Sequence, residues 1–230
     1  MELKRVVVTG MGALTPLGHS VDQYWENLVN GVPGADMITL FDASKFRTKF
    51  ACEVKGFDPT QFMDRKEARK IDRFTQFALV VSDQAMADAG LNKENIDPDR
   101  IGVVFASGIG GLITFQHEVT DFAKGDGTPR FNPFFIPKMI LDIAAGQISM
   151  RHNLRGPNYA VVSACASSTN AIMDAFNLLR LGKADIILTG GSEAVISEAG
   201  VGGFNAMKAM SERNDDPKTA SRPYDKDRDG

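Results

Sequence analysis

The sequence predicts an α/β protein with a mixed β-sheet covered by helices on both faces. Short apolar runs rich in β-branched residues alternate with longer stretches in which apolar residues recur at helical spacing. Glycine-rich turns follow several of these runs, at the sheet edge where open α/β folds bind ligands. With 43% hydrophobic and 24% charged residues, the 230-residue chain has an ordinary globular composition. The predicted strands are Lys4–Thr9, Ile101–Ala106, Tyr159–Val162 and Ala184–Gly190.

The first strand leads into a glycine-rich turn over Gly10–Gly18. A dinucleotide-binding turn is an alternative, but Thr15 occupies the place of the third glycine and Pro16 interrupts the helix that would carry the pyrophosphate. A tight structural turn is therefore the preferred interpretation. Val21–Asn30 then has the pattern of a short amphipathic helix, with Trp25 expected in the core.

Two further helices are predicted before the second strand. Arg65–Lys70 carries basic residues four positions apart, which places them in pairs on shared helix faces. This cluster is either a solvated surface or a docking patch for an acidic partner. Arg73–Ala89 has apolar residues at helical spacing and is followed by Gly90, so it is expected to be a long core-facing helix.

The second strand opens onto Ser107–Gly111, which resembles a phosphate-binding loop. Because no Gly-Lys-Ser/Thr follows, a close approach of the backbone to a ligand or another helix is favoured. Phe131–Pro137 places two adjacent phenylalanines between prolines, which suits either a core or the wall of an apolar pocket. A helix is predicted over Lys138–His152, and Gly200–Phe204 is expected to be a flexible turn.

Residues 156–172 carry the strongest chemical signal. The predicted strand ends at small residues followed by Cys165, and helical spacing begins after the cysteine. A thiol at a helix N-terminus meets unpaired backbone N–H groups and the positive end of the helix dipole, both of which favour the thiolate. Cys165 is therefore a candidate nucleophile, with a buried structural cysteine as the alternative. The predicted apolar face of the helix comprises Ile172, Ala175, Phe176 and Leu179.

Charge and cysteine content argue against several functional classes. The net charge of −3 provides no global basic field for nucleic acid or a membrane surface. The two cysteines, Cys52 and Cys165, are too few for a disulfide framework, and no secretory signal pattern is evident, so a cytoplasmic location is expected. No apolar segment approaches the length of a transmembrane helix. The cysteines also lack metal-ligand spacing, so no metal is expected.

A nucleophilic cysteine commonly needs a base or a charged partner. The three histidines, His19, His117 and His152, stand outside any recognisable Cys/His signature and are expected at the surface or at helix ends. The last residues are rich in charge and proline and end on Asp-Lys-Asp-Arg-Asp-Gly without a closing helix or strand. We therefore expect the chain to be part of a longer protein that supplies the missing partner.

Together these segments closely resemble the β-ketoacyl synthases, and in particular the elongating 3-oxoacyl-acyl carrier protein synthases of bacterial fatty acid synthesis. The resemblance covers essentially the whole chain and rests first on Gly156–Ile172, which is similar to the active-site cysteine signature of that family. The other matching segments are Val6–Gly12, Thr15–Gly18, Arg65–Asp72, Ser107–Gly111, Pro133–Phe135, Gly190–Glu193, Gly200–Phe204 and Ser221–Gly230.

The resemblance implies a thiolase-like fold of αβαβα layers, in which residues 1–230 form the N-terminal half with a mixed five-stranded sheet. It implies that Cys165 accepts the acyl group from acyl carrier protein, with its own backbone N–H as one oxyanion-hole donor. Condensation with malonyl-acyl carrier protein would then release carbon dioxide, promoted by two histidines in the second half of the family fold. No cofactor is implied, because the substrates are carried on the phosphopantetheine of acyl carrier protein.

The same resemblance assigns roles to further residues. The equivalent of Phe135 reaches into the neighbouring subunit of a homodimer. The positions expected to line the acyl-chain pocket are Ile109, Phe135 and Phe204. The positions expected to dock acyl carrier protein are Lys66, Arg69 and Lys70, with Arg130 and Lys208 adding to them.

Three alternatives remain at this point. The first is that these 230 residues by themselves form a non-catalytic half-domain without the two histidines. A chain-length-controlling paralogue is disfavoured, because such relatives typically replace the cysteine. A thiolase or an initiating synthase that uses coenzyme A thioesters is disfavoured by the elongating-type segments at residues 107 and 133.

Overall fold

The computed structural model describes residues 3–92 and 94–230, which form eight α-helices and five β-strands. They divide into two compact units: the described residues up to Gly12 with Asp58–Ala194, and Ala13–Phe57 with Val195–Gly230. The helices are α1 (Val21–Val29), α2 (Arg65–Lys70), α3 (Arg73–Asp88), α4 (Leu112–Lys124), α5 (Phe135–Met139), α6 (Ile143–His152), α7 (Ser167–Arg180) and α8 (Glu198–Ala206). The strands are β1 (Asp36–Met37), β2 (Phe50–Ala51), β3 (Ile101–Ala106), β4 (Asn158–Tyr159) and β5 (Ile186–Gly191).

A parallel three-stranded sheet in the order β4-β3-β5 forms the centre of the first unit. All six residues of β3 are buried, as expected for a strand with neighbours on both edges and both faces. Val104 and Ala106 pack against Ala171 of α7, and successive side chains such as Val103 point to the opposite face. Both α6 and α7 contact β3, which agrees with the predicted covering of the sheet by helices.

The long core helix of this unit is α3, as predicted. Asp72 caps its N-terminus by accepting a hydrogen bond from the N–H of Phe74, and Gly90 follows it with φ +65°. Phe74 and Leu79 are completely buried. The helix packs against α6 and contacts β5, so it ties the sheet to the rest of the unit.

The α/β class is confirmed, but the described strands do not form one five-stranded sheet. Three strands form the parallel sheet, while β1 and β2 pair antiparallel in the second unit. The predicted strand at Lys4–Thr9 is not formed within the described residues 3–14, where Val7 and Val8 are 60% and 80% exposed. A β-branched run becomes a strand only where a partner strand pairs with its backbone, and propensity alone does not supply that partner.

The helix predicted over Lys138–His152 is interrupted, so that α5 and α6 are separate. Ile140 leaves the helical conformation, with φ −68° and ψ 142°. The carbonyl of Met139 accepts a hydrogen bond from the N–H of Gly111 at 3.2 Å, and a continuing helix would need that same acceptor. The interruption therefore coincides with a tertiary contact that helical spacing does not reveal.

Helix α7 follows the cysteine as predicted, and Ala175 of its predicted apolar face is buried, but the larger residues of that face are not. Ala171 is fully buried, whereas Ile172 and Phe176 are 53% and 42% exposed. A Cβ added to Gly191 of β5 would overlap the Oγ of Ser168. Helix and strand approach so closely that only small side chains fit between them, which excludes the larger apolar residues from this contact.

The second unit contains α1, α8 and the β1–β2 pair. Trp25, expected in the core, is 64% exposed on α1. A helix, α8, replaces the flexible turn predicted over Gly200–Phe204, and Ser197 caps it by accepting a hydrogen bond from the N–H of Gly200 at 3.2 Å. A Cβ at Gly200 would overlap the carbonyl oxygen of Val195, so close backbone packing, rather than a turn, requires this glycine.

Candidate active site

Cys165 lies between β4 and α7, as predicted. The strand β4 ends at Tyr159, earlier than the predicted Tyr159–Val162 run, and the chain continues through residues 160–163 without regular structure. A single 3-10 turn at Ala164–Ala166 then leads into α7, whose first N–H groups lack intrahelical acceptors. Cys165 is exposed, so its thiol is open to an incoming reactant.

The segment around the cysteine, which we call the nucleophile turn (residues 163–167), has an unusual backbone. Ala164 has φ +52°, a left-handed conformation that costs a non-glycine residue about 1–2 kcal/mol. The hydroxyl of Ser167 donates to the carbonyl of Ala164 at 2.7 Å and accepts from the N–H of Ser163 at 2.8 Å. Asn170 donates to the hydroxyl oxygen of Ser163 at 2.7 Å. These hydrogen bonds hold the turn in its strained shape.

The N–H of Cys165 is the group expected to donate to an oxyanion. Two backbone hydrogen bonds close the nucleophile turn, from the N–H of Ala166 to Ser163 at 3.1 Å and from the N–H of Ser167 to Ala164. Neither bond uses the N–H of Cys165, so closing the turn does not consume this donor.

The glycine loop after β3, residues 107–110, binds a carboxylate of the protein itself. Glu193 accepts hydrogen bonds from three consecutive backbone N–H groups and from one hydroxyl. The donors are the N–H groups of Gly108 (2.7 Å), Ile109 (2.9 Å) and Gly110 (3.2 Å) and the hydroxyl of Ser107 (2.9 Å). Gly110 has φ +74°, a conformation that lets successive N–H groups point toward one anion. The likeness to a phosphate-binding loop thus has a physical basis, but the anion is internal.

This role of Glu193 was not predicted from the sequence. Two segments carried the available signal. The glycine run Ser107–Gly111 follows one buried strand, and the segment Gly190–Glu193, which ends in an acidic residue, follows a neighbouring strand. Since carboxyl ends of parallel strands meet at one sheet edge, these two segments could have been paired.

The glycine loop touches two other parts of the site. A Cβ at Gly108 would lie 3.3 Å from the carbonyl oxygen of Ala164, and one at Gly110 would lie 2.9 Å from that of Met139. Ile109 itself is 38% exposed. The loop that carries Ile109 therefore contacts both the nucleophile turn and α5.

Phe135, the first residue of α5, belongs to a cluster of aromatic rings. Its ring centre lies 5.5 Å from that of Phe131 and 6.2 Å from that of Phe115 on α4, with both pairs stacked. Phe131 also lies 5.3 Å from Phe122. Phe115, Phe122 and Phe131 are 43%, 41% and 40% exposed, so the cluster is an open apolar wall rather than a closed core.

The predicted docking cations of α2 share the outer side of that helix. Lys66, Arg69 and Lys70 are exposed, whereas Ala68 is buried. The ammonium of Lys70 lies 5.6 Å from the ring centre of Phe134. A cavity of about 440 Å³ beside them is lined by charged residues of α2, by Phe134 and Pro137, and by Ile143 and Gln147 of α6.

Three other predicted residues lie outside α2. Arg130 forms an ion pair with Asp126 at 3.1 Å in the first unit. Phe204, on α8, and Lys208, which follows that helix with φ +55°, belong to the second unit. The structure therefore brings together the turn of Cys165, the loop of Ile109 and the helix of Phe135, all within the first unit.

The histidines occupy helix ends or the surface, as expected. Nε2 of His152, the last residue of α6, lies 3.2 Å from the carboxylate of Asp83 and 3.3 Å from the hydroxyl of Ser82. His117 is exposed on α4, and His19 directly precedes the residue that caps α1. None of them carries a feature that marks it as the partner of the nucleophile.

Two kinds of feature are absent from residues 3–92 and 94–230. No group of three His, Cys, Asp or Glu side chains in those residues could hold a metal ion. No helix formed by them is long and apolar enough to cross a membrane.

Comparison with known proteins identifies one family. Residues 3–230 match the family described as Beta-ketoacyl synthase, N-terminal domain. The chain is 47% identical over 230 residues to 3-oxoacyl-[acyl-carrier-protein] synthase 2 of Synechocystis sp., covering 100% of this chain and 55% of that relative. A crystal structure of a β-ketoacyl synthase from Burkholderia phymatum STM815 matches with a TM-score of 0.87 and 32% identity, covering 100% and 56% of the two chains. A type II polyketide ketosynthase in complex with its acyl-carrier protein matches with a TM-score of 0.86 and 27% identity, covering 100% and 55%.

The chain spans about half the length of the relatives it matches. The solved structures confirm the predicted thiolase-like layered α/β class. The family match confirms the resemblance that was inferred from the motifs. The chain belongs to the β-ketoacyl synthase family, with residues 3–230 matching its N-terminal domain.

Proposed function

We propose that the protein carrying this chain is a decarboxylating acyltransferase, a 3-oxoacyl-acyl carrier protein synthase of fatty acid synthesis. The observation that carries the proposal is the exposed Cys165 at the N-terminus of α7, directly after the strained Ala164. A cysteine in this position is accessible and faces backbone dipoles that stabilise negative charge. The relative at 47% identity has this activity in its name.

In the proposed reaction, the thiolate of Cys165 attacks the thioester carbonyl of acyl-acyl carrier protein. The N–H of Cys165 donates to the oxyanion, the phosphopantetheine thiolate leaves, and a thioester to Sγ is formed. Malonyl-acyl carrier protein then loses carbon dioxide, and the resulting carbanion attacks the acyl thioester. The new carbon–carbon bond releases the Cys165 thiolate and the 3-oxoacyl product, and no cofactor takes part.

We propose that Ile109 and Phe135 line the pocket for the acyl chain. Support comes from the glycine loop, which joins the nucleophile turn to α5, and from the open aromatic wall around Phe135. Burial of a chain methylene contributes about 0.8 kcal/mol, so the depth of such a wall would set the preferred chain length. Phe204 is proposed for the same pocket on the family resemblance alone.

We propose that acyl carrier protein docks on the cations of α2. Lys66, Arg69 and Lys70 are exposed on one short helix, which suits an acidic partner. A similar solved ketosynthase is in complex with its acyl-carrier protein, which supports a protein-borne substrate. Arg130 and Lys208 are proposed to add to this surface on the family resemblance.

The parent protein is also proposed to be a cytoplasmic homodimer. Both cysteines of the described chain are free, which fits a reducing compartment. The homodimer rests on the family resemblance, in which the equivalent of Phe135 reaches the neighbouring subunit. Analytical ultracentrifugation of the full-length protein should show a dimer, and a monomer at micromolar concentration would contradict this assignment.

A second proposal concerns the 230-residue chain on its own, which we expect to be inactive in condensation. The family places its two catalytic histidines in the second half of the fold, and the histidines of this chain lie at helix ends or the surface. Mixing this chain with acyl- and malonyl-acyl carrier protein should yield no 3-oxoacyl product. Detection of product would show that those histidines are dispensable.

Covalent acylation tests the main proposal. The full-length protein incubated with acyl-acyl carrier protein should gain the mass of one acyl group, mapped by peptide mass spectrometry to Cys165. Cys165→Ala should abolish the adduct, whereas Cys52→Ala, which removes the other exposed cysteine, should retain it. An adduct that persists in Cys165→Ala would show that the nucleophile is misassigned. A preference for acyl-coenzyme A as donor would instead favour an initiating synthase or a thiolase.

A further inference from the structure

The docking helix α2 is too short to maintain its own position. It has six residues, and isolated helices shorter than about 12 residues are marginal in water. Contacts with other elements must therefore set its orientation. Ala68 and Ile71 are buried at 7% and 5% exposure, and the carbonyl of Ala68 accepts a hydrogen bond from Gln76 of α3 at 2.9 Å. Such anchors decide where the cations of α2 point.

Arg151, in the last turn of α6, joins α2 to two other helices. Its Nε and Nη2 contact the two carboxylate oxygens of Asp83 on α3 at 2.9 and 2.8 Å, a two-point pair that fixes the plane of the guanidinium. The same group also reaches α2 and the residues before it. Nη1 lies 3.3 Å from the carboxylate of Glu67, and Nη2 donates to the carbonyl of Phe62 at 2.8 Å.

This cluster is partly shielded from water. The side chain of Arg151 is 22% exposed, and those of Glu67 and Asp83 are 35% and 36% exposed. Loss of the arginine would leave two partly buried carboxylates without their shared cation, which favours release of the helix that carries one of them. Nε2 of His152 contacts Asp83 at 3.2 Å but no contact joins it to Glu67 in the described chain.

The pairing also affects the charge that α2 presents. Glu67 is the acidic residue of α2, and its ion pair with Arg151 turns it toward α6. The outer side of the helix then displays cations alone, which is the arrangement an acidic partner would need.

We propose that Arg151 is a positioning residue for docking of the carrier protein. It holds α2 in the orientation that presents Lys66, Arg69 and Lys70, and it neutralises Glu67. This inference rests on the proposed function of α2 as the docking surface. Arg151 acts through the helix and not on the reacting atoms.

Steady-state kinetics of the full-length enzyme test this role. Arg151→Gln should raise the KM for acyl-acyl carrier protein about tenfold and leave kcat within about twofold, because only docking is weakened. With acyl-pantetheine, a donor that lacks the carrier protein, both constants should stay unchanged. Arg151→Lys keeps the charge but not the two-point contact and should raise KM less. Glu67→Gln breaks only the contact between Arg151 and α2 and also removes the acidic charge, so it should raise KM, but less than Arg151→Gln. It serves as the second variant if Arg151→Gln fails to fold.

The matched control is Arg155→Gln, because Arg155 pairs with Asp99 in an exposed ion pair and should leave both constants unchanged. Lys70→Glu separates this inference from the docking proposal: an unchanged KM in that variant would show that the docking surface itself is wrong. If Lys70→Glu raises KM but Arg151→Gln and Glu67→Gln do not, the positioning role is wrong. A fall in kcat with acyl-pantetheine would also overturn it, since it indicates general damage.

Discussion

Removal of the Glu193 carboxylate should destabilise the glycine loop and, with it, the first unit. In Glu193→Ala, three backbone N–H groups and the hydroxyl of Ser107 lose their common acceptor. Ser107 is 3% exposed, whereas Glu193 itself is exposed, so water can reach some of the freed donors but not all of them. The freed donors that water does not reach carry a desolvation penalty.

The magnitude follows from the hydrogen bonds lost. Each contributes about 0.5–1.5 kcal/mol net, and bonds that share one acceptor are not additive. For the four bonds of Glu193 we expect a loss of about 3 kcal/mol in the free energy of unfolding. This corresponds to a change of about two orders of magnitude in the unfolding equilibrium constant.

Urea denaturation followed by circular dichroism measures this loss. Ser107→Ala removes one donor and should lower the free energy of unfolding by about 1 kcal/mol. Asp121→Ala, at an exposed position of α4, is the control and should change it by no more than about 0.5 kcal/mol. A loss below about 1 kcal/mol in Glu193→Ala would contradict this role of Glu193, because the glycine loop would then hold its shape without its internal anion.

Two further predictions concern backbone strain and pH. Ala164→Gly should raise the free energy of unfolding by about 0.5–1 kcal/mol, because glycine adopts this φ without strain. The same change should slow acylation of Cys165. A lower free energy of unfolding in urea denaturation would show that Ala164 is not strained. Burial raises the pKa of Asp83, but hydrogen bonds from His152 and Arg151 outweigh it and lower the pKa below the ordinary 3.8. The stability that Asp83 contributes is therefore complete above pH 3.8 and is lost as the pH falls below it. Asp83→Asn should be less stable than the unaltered protein at neutral pH, and the difference should shrink in acid; a difference independent of pH would count against this pairing.

The sequence was sufficient to predict those elements whose hydrophobic pattern and terminating residues lie within the element or directly beside it. The strand β3 has its predicted bounds because a continuous apolar run between turns is typical of a buried central strand. The helix α3 follows its predicted range because apolar spacing, Asp72 as N-cap and Gly90 as terminator agree with one another. The place of Cys165 between a strand and a helix was predictable for the same reason.

Elements that depend on distant partners were not predictable in this way. The run Lys4–Thr9 has strand propensity but no paired strand in the described residues. The interruption between α5 and α6 accompanies a hydrogen bond from Gly111 to Met139. Trp25 is exposed although its residue type favours burial, because amphipathic spacing does not show how much apolar surface the neighbouring elements can cover.

The family, the α/β class and the candidate nucleophile could be recognised from the residues alone, because they are encoded in contiguous segments such as residues 156–172. The contacts of Glu193 with the glycine loop and of Arg151 with α2 become visible only in the packed fold. The hydrogen bonds concerned join residues 85 and 84 positions apart, Gly108 to Glu193 and Arg151 to Glu67. Such contacts depend on how helices and strands pack together, and residue spacing along the chain does not encode that packing.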